Sequence, residues 1–439
     1  MARGKKKETL TPEERLQAAL VPDWEQPYKV PENWCWIHLL DSFENYTDSK
    51  KKIPQKEYLQ DGKIAIVDQG QNLIGGYTND KEMIFAGNAP VVIFGDHTRC
   101  IKYIDFPFAQ GADGVKVIKP KQFFNTKAFY YAFQTVDIPN MGYRRHFPLF
   151  DKYEIPVPPL PEQQRIVDRI ESLFAKLDEA KQKAQDALDN FETRKAAILH
   201  KAFTGELTAQ WRKEHGVGME SWEEKTLQDV CLMKITDGTH KTPTYCDKDD
   251  GFPFISSKDV TTEKICWDNV KYIVPSLHDE LYARLSPQKD DILLAKNGTT
   301  GVAAIVEDDK IFDIYVTLAV LRPNPKLITP RYLWRIVNSP ICKNQFNEHL
   351  TGIGVPNLHL RDIKEVLIRV PNILDEQTEI VRILDDLLAK EQQAKKAAEA
   401  VLEQIDLMKK SILARAFRGE LGTNDPTEES AVELVKRLL

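Results

Sequence analysis

Residues 162–207 and 376–421 are two copies of one stretch, 214 positions apart without a gap and identical at 19 of 46 positions. The first reads EQQRIVDRIESLFAKLDEAKQKAQDALDNFETRKAAILHKAFTGEL and the second EQTEIVRILDDLLAKEQQAKKAAEAVLEQIDLMKKSILARAFRGEL. Unrelated helices rich in Ala, Lys and Glu would agree at only a handful of positions. The match is therefore an internal duplication, the feature that most limits what this chain can fold into.

Each copy reads as a long helix. Steps of four and three from Ile166 give Ile170, Leu173, Leu177, Ala180, Ala184, Ala187, Phe191, Arg194 and Ile198. The same register in the second copy gives Ile380, Leu384, Leu387, Glu391, Ala394, Ala398, Val401, Ile405, Met408 and Ile412. Only Arg194 and Glu391 break the two apolar seams, and a seam kept over more than four heptads is the pattern of a coiled coil. Neither copy contains Pro or Gly before Gly205 and Gly419, which are expected to stop the helices. About 40 residues at ~1.5 Å each make a rod of about 60 Å. The seam alanines permit close approach, and the simplest arrangement pairs the two rods antiparallel, with one block at each end.

A block of mixed strand and helix character precedes each rod. The first opens with Trp34 and Leu39, the second with Trp222 and Leu227. Short apolar runs bounded by turn residues predict strands at Ile64–Val67, Val91–Phe94 and Val115–Ile118, then at Phe254–Ile255, Ile292–Ala295 and Val316–Leu321. Helices are expected at Thr126–Phe133 and Pro330–Val337. Pro156, Pro158, Pro159 and Pro161 lead into the first rod and Pro371 into the second, and read as non-helical elbows. Terminal helices are expected at Thr11–Leu20, with a capping sequence, and at Thr427–Leu439. The expected fold is α+β: two mixed α/β domains separated by two long helices that pair as an antiparallel coiled coil, with a pseudo-twofold internal repeat. The expected boundaries are a basic arm and helix at 1–30, a first domain at 31–158 and a central helix at 159–207. A second domain at 208–371, a second long helix at 372–421 and a tail helix at 422–439 follow.

Composition narrows the function. No stretch approaches ~20 uninterrupted apolar residues, and MARGKKKETL has no apolar run behind its charges, so a membrane span and a secretory leader are not expected. Six scattered cysteines without a C-x-x-C pair argue against structural zinc or a disulfide framework and suggest a cytoplasmic protein. The net charge of −6 argues against nucleic acid only if basic residues are not gathered on one face. Residues 31–160 hold fifteen basic and fifteen acidic side chains and are thus less acidic than the chain as a whole. No phosphate loop, dinucleotide fingerprint, adenine-methyltransferase tetrapeptide or nuclease constellation occurs, so no catalysis or metal site is expected of this chain.

What remains is polar and loop-borne. Gln69 and Gln71 follow a predicted strand, and glutamine reads adenine in a bidentate way. Tyr143, Arg144, Arg145 and His146 combine two guanidiniums with aromatic rings; Arg both reads guanine and clamps phosphate. In the second block the candidates are Thr239, His240 and Lys241 in a tight turn, Lys258, then Asn297 and Thr299 in a glycine-punctuated loop. Asn357, in the loop Gly352–Asn357 that takes the place of the Tyr-Arg-Arg-His run, completes the set. Taken alone, each such loop also reads as a plain turn. His97, His200 and His215 read as ordinary surface or packing residues.

Together PPLPEQQRIV at 158–167, EQTEIVRIL at 376–384 and the twin AF-x-GEL endings resemble the specificity subunit of type I restriction-modification systems. DGTHKTP at 237–243, GFPFISSKDV at 251–260 and GVPNL at 354–358 add to this resemblance, which covers residues 31–421; VPNILDEQ departs from the PPLxEQ form. The resemblance implies a non-catalytic DNA-recognition subunit. Each domain would read one half of a bipartite, asymmetric double-stranded site while the rods fix the spacer. It also implies two methyltransferase subunits docked on the rods and, where present, two restriction subunits. S-adenosylmethionine, ATP and Mg would belong to those partners, and no cofactor to this chain. A stand-alone DNA-binding protein and a coiled-coil scaffold without DNA are the alternatives.

Overall fold

A computed structural model describes residues 11–350 and 356–439. The chain forms two compact units, residues up to Ala184 with Ala400–Leu439, and Gln185–Glu399. The basic arm at 1–10 and Gly352, Ile353, Gly354 and Val355 lie outside the described residues.

The first unit carries α1 (Pro12–Ala19) and the strands β1 (Cys35–His38), β2 (Phe43–Asn45), β3 (Lys52–Ile53), β4 (Ile64–Val67) and β5 (Gly76–Thr78). β6 (Val91–Gly95), β7 (Ile101–Ile104), β8 (Phe108–Gly111), β9 (Val115–Pro120), α2 (Thr126–Phe133), β10 (Glu154–Val157) and α3 (Leu160–Asp189) follow. The second carries α4 (Phe191–Phe203), α5 (Ala209–His215), β11 (Trp222–Thr226), β12 (Thr236–Asp237), β13 (Tyr245–Cys246), β14 (Phe252–Ile255) and β15 (Lys271–Ile273). Next come α6 (Pro275–Arg284), β16 (Ile292–Ala295), β17 (Ala303–Ile305), β18 (Asp313–Ile314), β19 (Leu318–Leu321) and α7 (Pro330–Val337). α8 (Pro340–Glu348), α9 (Leu360–Glu365) and β20 (Leu367–Pro371) complete it; α10 (Leu374–Ala416) belongs to the second unit up to Glu399 and to the first from Ala400, and α11 (Ala431–Leu438) belongs to the first.

One plan serves both blocks. The antiparallel sheet β2-β9-β6-β7 has its counterpart in β12-β19-β16-β17, and the ribbon β1-β10 in β11-β20. β6 and β16 are fully buried, as their unbroken apolar runs require. A second sheet in each pairs β4 with β8 in parallel and with β5 in antiparallel, as β14 pairs with β18 and β15. The copies differ at an edge: β3 joins β8, whereas β13 joins β15. α2 and α7 occupy the predicted spans and are capped by Asn125 and Thr329, whose side chains accept backbone N–H groups of the first turn.

The long helices depart from the expected continuous rods at one place. α10 runs unbroken for 43 residues, but the first copy is interrupted at Asn190 between α3 and α4. The Asn190 amide donates to the Asp186 carbonyl at 2.8 Å, and the Arg194 guanidinium donates to the Ala187 carbonyl at 3.0 Å. A side chain that competes for backbone bonds weakens the helix there; the second copy has Gln404 at that position. Gly205 and Gly419, both left-handed, follow the two helix ends. In the first unit Ile166, Ile170 and Phe174 of α3 share a core with Ile412, Leu413 and Ala416 of α10, and Lys409 bonds Asp178 at 2.5 Å. In the second, Leu199 and Ala202 of α4 share a core with Ile380 and Leu384 of α10.

Of the predicted elbow prolines, Pro158 and Pro159 form the non-helical link between β10 and α3, whereas the other three lie inside elements. Pro156 and Pro371 lie inside β10 and β20, opposite Trp36 and Trp222, and Pro161 sits in the first turn of α3, where no N–H is needed. α1 has the predicted capping box between Thr11 and Glu14. It packs on α11, where Leu434 and Val435 join Leu16 and Trp34 in one core and Lys436 pairs with Glu13 at 2.7 Å.

Candidate functional site

In the first block, loops following strand ends converge. β4 delivers the loop from Asp68 and β6 the loop from Asp96. Lys102, 5% exposed, fixes the first of these by donating to the Asp68 and Asn72 carbonyls at 2.8 and 2.5 Å. Gln69 then ties the two loops together: its side-chain carbonyl accepts the His97 N–H at 3.2 Å, and its main-chain carbonyl accepts the Thr98 hydroxyl at 2.6 Å. Gly114 must be glycine, because it is left-handed and a Cβ there would meet Gln69 and His97 within 3 Å. Gln69 is thus a brace within the fold, while Gln71 stays exposed.

The Tyr-Arg-Arg-His run divides in two. His146 is fully buried: its N–H donates to the Asp96 carboxylate at 2.9 Å, its Nδ1 lies 2.8 Å from the Asp96 carbonyl, and its Nε2 accepts the Met141 N–H. All the hydrogen-bonding capacity of the ring is used inside, which corrects the expectation that it faces a ligand. The same bonds hold the loop so that Tyr143, Arg144 and Arg145 stand outward. Tyr143 is 85% exposed and stacks on His97, with ring centroids 4.6 Å apart and planes 10° apart. Neither Arg144 nor Arg145 has a carboxylate partner or a side-chain hydrogen bond among the described residues. Two adjacent, unpaired guanidiniums beside an exposed ring stack suit an anionic, base-bearing ligand. Sequence reasoning missed His97; its signal was its place directly after β6, matching the loop after β16.

The second block repeats the arrangement with different chemistry. The turn after β12 requires Gly238, since a Cβ would lie 2.0 Å from the Ile314 carbonyl oxygen. Buried Asp237 accepts Lys296 at 2.9 Å and His240 at 3.3 Å, joining the turn after β12 to the loop after β16. Thr299 donates to the Ser257 carbonyl at 3.3 Å, joining that loop to the one after β14, which holds Lys258. Asn297 forms a main-chain bridge with Asn357, bringing in the last predicted loop. Thr239 is 5% exposed and accepts the Lys241 N–H, so it shapes the turn rather than facing solvent. Lys241 pairs with Glu280 and Lys258 with Asp259, so these cations are neutralised locally, unlike Arg144 and Arg145. Lys364 was not foreseen; burial and the charge of Lys234 hold its ammonium below the usual range, while Asp237 opposes them.

Each block is attached to the helices by the same parts. Trp34 donates its indole N–H to Glu162 at 2.7 Å, as Trp222 does to Glu376 at 3.1 Å, and both carboxylates are fully buried. Gln163 accepts the Asn125 N–H and donates to the carbonyls of Phe123 and Pro158; Gln377 accepts the Thr329 N–H and donates to those of Leu327 and Pro371. The supplementary partners differ. Glu376 has Thr208 and Arg212, the latter at 2.7 Å, whereas Glu162 has Thr423 and Asn424.

Two blocks of one plan, each anchored by a buried Trp–Glu bond and each gathering polar loops at strand ends, define a duplicated recognition protein. The chain belongs to the family of the type I restriction modification DNA specificity domain, which it matches over residues 31–189 and 219–404. It is similar to the type I restriction enzyme EcoBI specificity subunit of Escherichia coli, 27% identical over 284 residues, or 61% of this chain and 58% of that protein. The EcoKI specificity subunit of Escherichia coli K12 is 27% identical over 281 residues, again 58% of its length. The matched stretch thus spans little more than half of these relatives. In fold the chain is similar to an HsdS subunit from Thermoanaerobacter tengcongensis, with a TM-score of 0.60, 19% identity and coverage of 90% of this chain and 100% of that one.

Proposed function

We propose that this chain is the DNA-recognition subunit of a type I restriction-modification complex, each block reading one half of a bipartite, asymmetric duplex site. The observation that carries this reading is the exposed, unpaired Arg144-Arg145 pair beside the Tyr143–His97 stack, in a loop braced from behind by buried His146. Arginines reach guanine edges or phosphates, and stacked rings offer a face to bases. In the second block His240, Lys241, Lys258, Asn297, Thr299 and Asn357 stand in corresponding loops and read the other half-site.

The long helices pair antiparallel as a coiled coil, relate the blocks by a pseudo-twofold repeat, set the length of the unread spacer and dock two methyltransferase subunits. Support comes from the packing of α3 on the end of α10 in one unit and of α4 on its beginning in the other. The chain itself is non-catalytic and acts in the cytoplasm. Adenine methylation with S-adenosylmethionine and ATP- and Mg-dependent cleavage belong to methyltransferase and restriction partners. Co-expression with the adenine methyltransferase of its own source should yield a stable complex that selects a bipartite sequence from random duplexes. Specific binding without a partner would favour a stand-alone DNA-binding protein, and no selection with the partner would favour a scaffold.

A further inference from the structure

A small cavity of about 130 Å³ lies in the first block, lined by Tyr46, Lys51, Phe85, Gly87 and Gln110 among others. Gln110 is its unusual member. It lies on the inner strand β8, whose other residues are Phe108, Ala109 and Gly111, and is only 1% exposed. Its side-chain carbonyl oxygen is buried and has no hydrogen-bond partner among the described residues. Native folds rarely leave a buried amide unpaired, and each such group calls for an explanation. Two aromatic walls accompany it. Phe85 stacks on Phe108 at 5.2 Å and fills the place a Cβ of residue 87 would take, which only glycine allows. Tyr46 is 42% exposed, and the Lys119 ammonium lies 5.9 Å from its ring centre.

The cavity belongs to the same loop system as the candidate interface. Gln110 lies opposite Val67 in the parallel pairing of β4 and β8, so it stands at the strand ends from which the Gln69 loop departs. Tyr46 follows β2 as Gly238 follows β12 in the other block. Size and chemistry then limit the occupant. An apolar cavity of roughly 150 Å³ holds one benzene ring, so this one holds a single six-membered ring and not a fused purine. Aromatic walls stack on any base, and a glutamine amide bonds an edge presenting donor and acceptor side by side.

We propose that this cavity takes one pyrimidine base, unstacked from the bound duplex and hydrogen-bonded at its edge by Gln110. The assignment rests on the DNA-recognition reading and extends it to a base held outside the stack. Its test uses the full chain in its methyltransferase complex, a random duplex library, and the selected duplex carrying 2-aminopurine opposite each pyrimidine in turn, so that the reporter stays in the stack while its partner leaves it. With the wild-type complex, fluorescence should rise at one position of the first block's half-site. Gln110→Leu should abolish that rise and cut discrimination at that position about tenfold. Its thermal midpoint should equal or exceed that of the wild type, since the unpaired amide is gone. An unchanged selection profile in Gln110→Leu, or a rise that persists in it, overturns the assignment. Should Gln110→Leu not fold, Tyr46→Leu at the exposed wall is read by the same criteria. If the wild-type complex selects no sequence at all, the DNA-recognition reading falls and the pocket with it.

Discussion

Among the described residues Arg144 and Arg145 have no acid partner, so their loss should remove little from the fold and, on the proposed function, much from the DNA complex. Arg144→Ala or Arg145→Ala should weaken DNA binding by about 1–3 kcal/mol and relax one base of one half-site if the guanidinium pairs with guanine. Against a phosphate the same change should weaken all sequences alike and lower the salt slope by about one. Titration of binding against salt with the selected duplex and its single-base variants separates the two, and unchanged affinity in both variants removes the loop from the interface. The thiols offer a second check. Burial pushes Cys35 and Cys231 up to about 12 and Cys342 higher still, while Cys266 is exposed. Because the thiolate is the reactive form, iodoacetamide at pH 8 should label Cys266 first, half-buried Cys231 more slowly, and leave buried Cys35 and Cys342 until the chain unfolds, as peptide mass spectrometry would show. At this scale the sequence was only half legible. Residue type and loop position marked the Tyr-Arg-Arg-His run, but nothing local distinguishes a histidine that faces a ligand from one that braces a loop. That depends on Asp96, fifty residues away.

Among the elements, the two seam defects turn out to be partners: Arg194 of α4 pairs with Glu391 of α10 at 2.9 Å. Their duplicated counterparts are Met408 and Leu177, so one copy of this seam position is charged and the other apolar. With the arginine side chain 38% exposed, the pair contributes only about 0.5 kcal/mol after solvent screening. Glu391→Leu alone should therefore cost about that much. Combining it with Arg194→Met should restore or raise the unfolding midpoint, and a cycle of urea melts gives the coupling. Helix and strand cores were readable because periodicity and apolar runs are local signals; Ile292–Ala295, Thr126–Phe133 and Pro330–Val337 have the predicted bounds. The Asn190 break was not readable, because no Pro or Gly marks it and the stop comes from an asparagine side chain that competes for the backbone. The strand role of Pro156 and Pro371 was likewise hidden, since it depends on pairing with β1 and β11.

For the molecule as a whole, duplication was the most legible property and the asymmetry between the copies the least. Glu376→Ala strands the nearly buried Arg212 charge and should cost about 3–5 kcal/mol. Glu162→Ala leaves only neutral donors, Trp34, Thr423 and Asn424, and should cost about 1–3 kcal/mol, both read from urea unfolding. Equal losses would show that the Arg212 pair adds nothing. Four residues inserted near Ala184 alone should lower stability by breaking the seam register; a matching insertion near Ala398 should recover it and lengthen the unread gap in the selected site. A gap of unchanged length would remove the helices as its determinant. The sockets themselves have a further consequence. Gln163 and Gln377 grip main-chain atoms alone, so they cannot sense which side chains a block displays elsewhere. Drift in the loops goes unpunished by the attachment, and new specificities can arise in either block without renegotiating the frame that carries it.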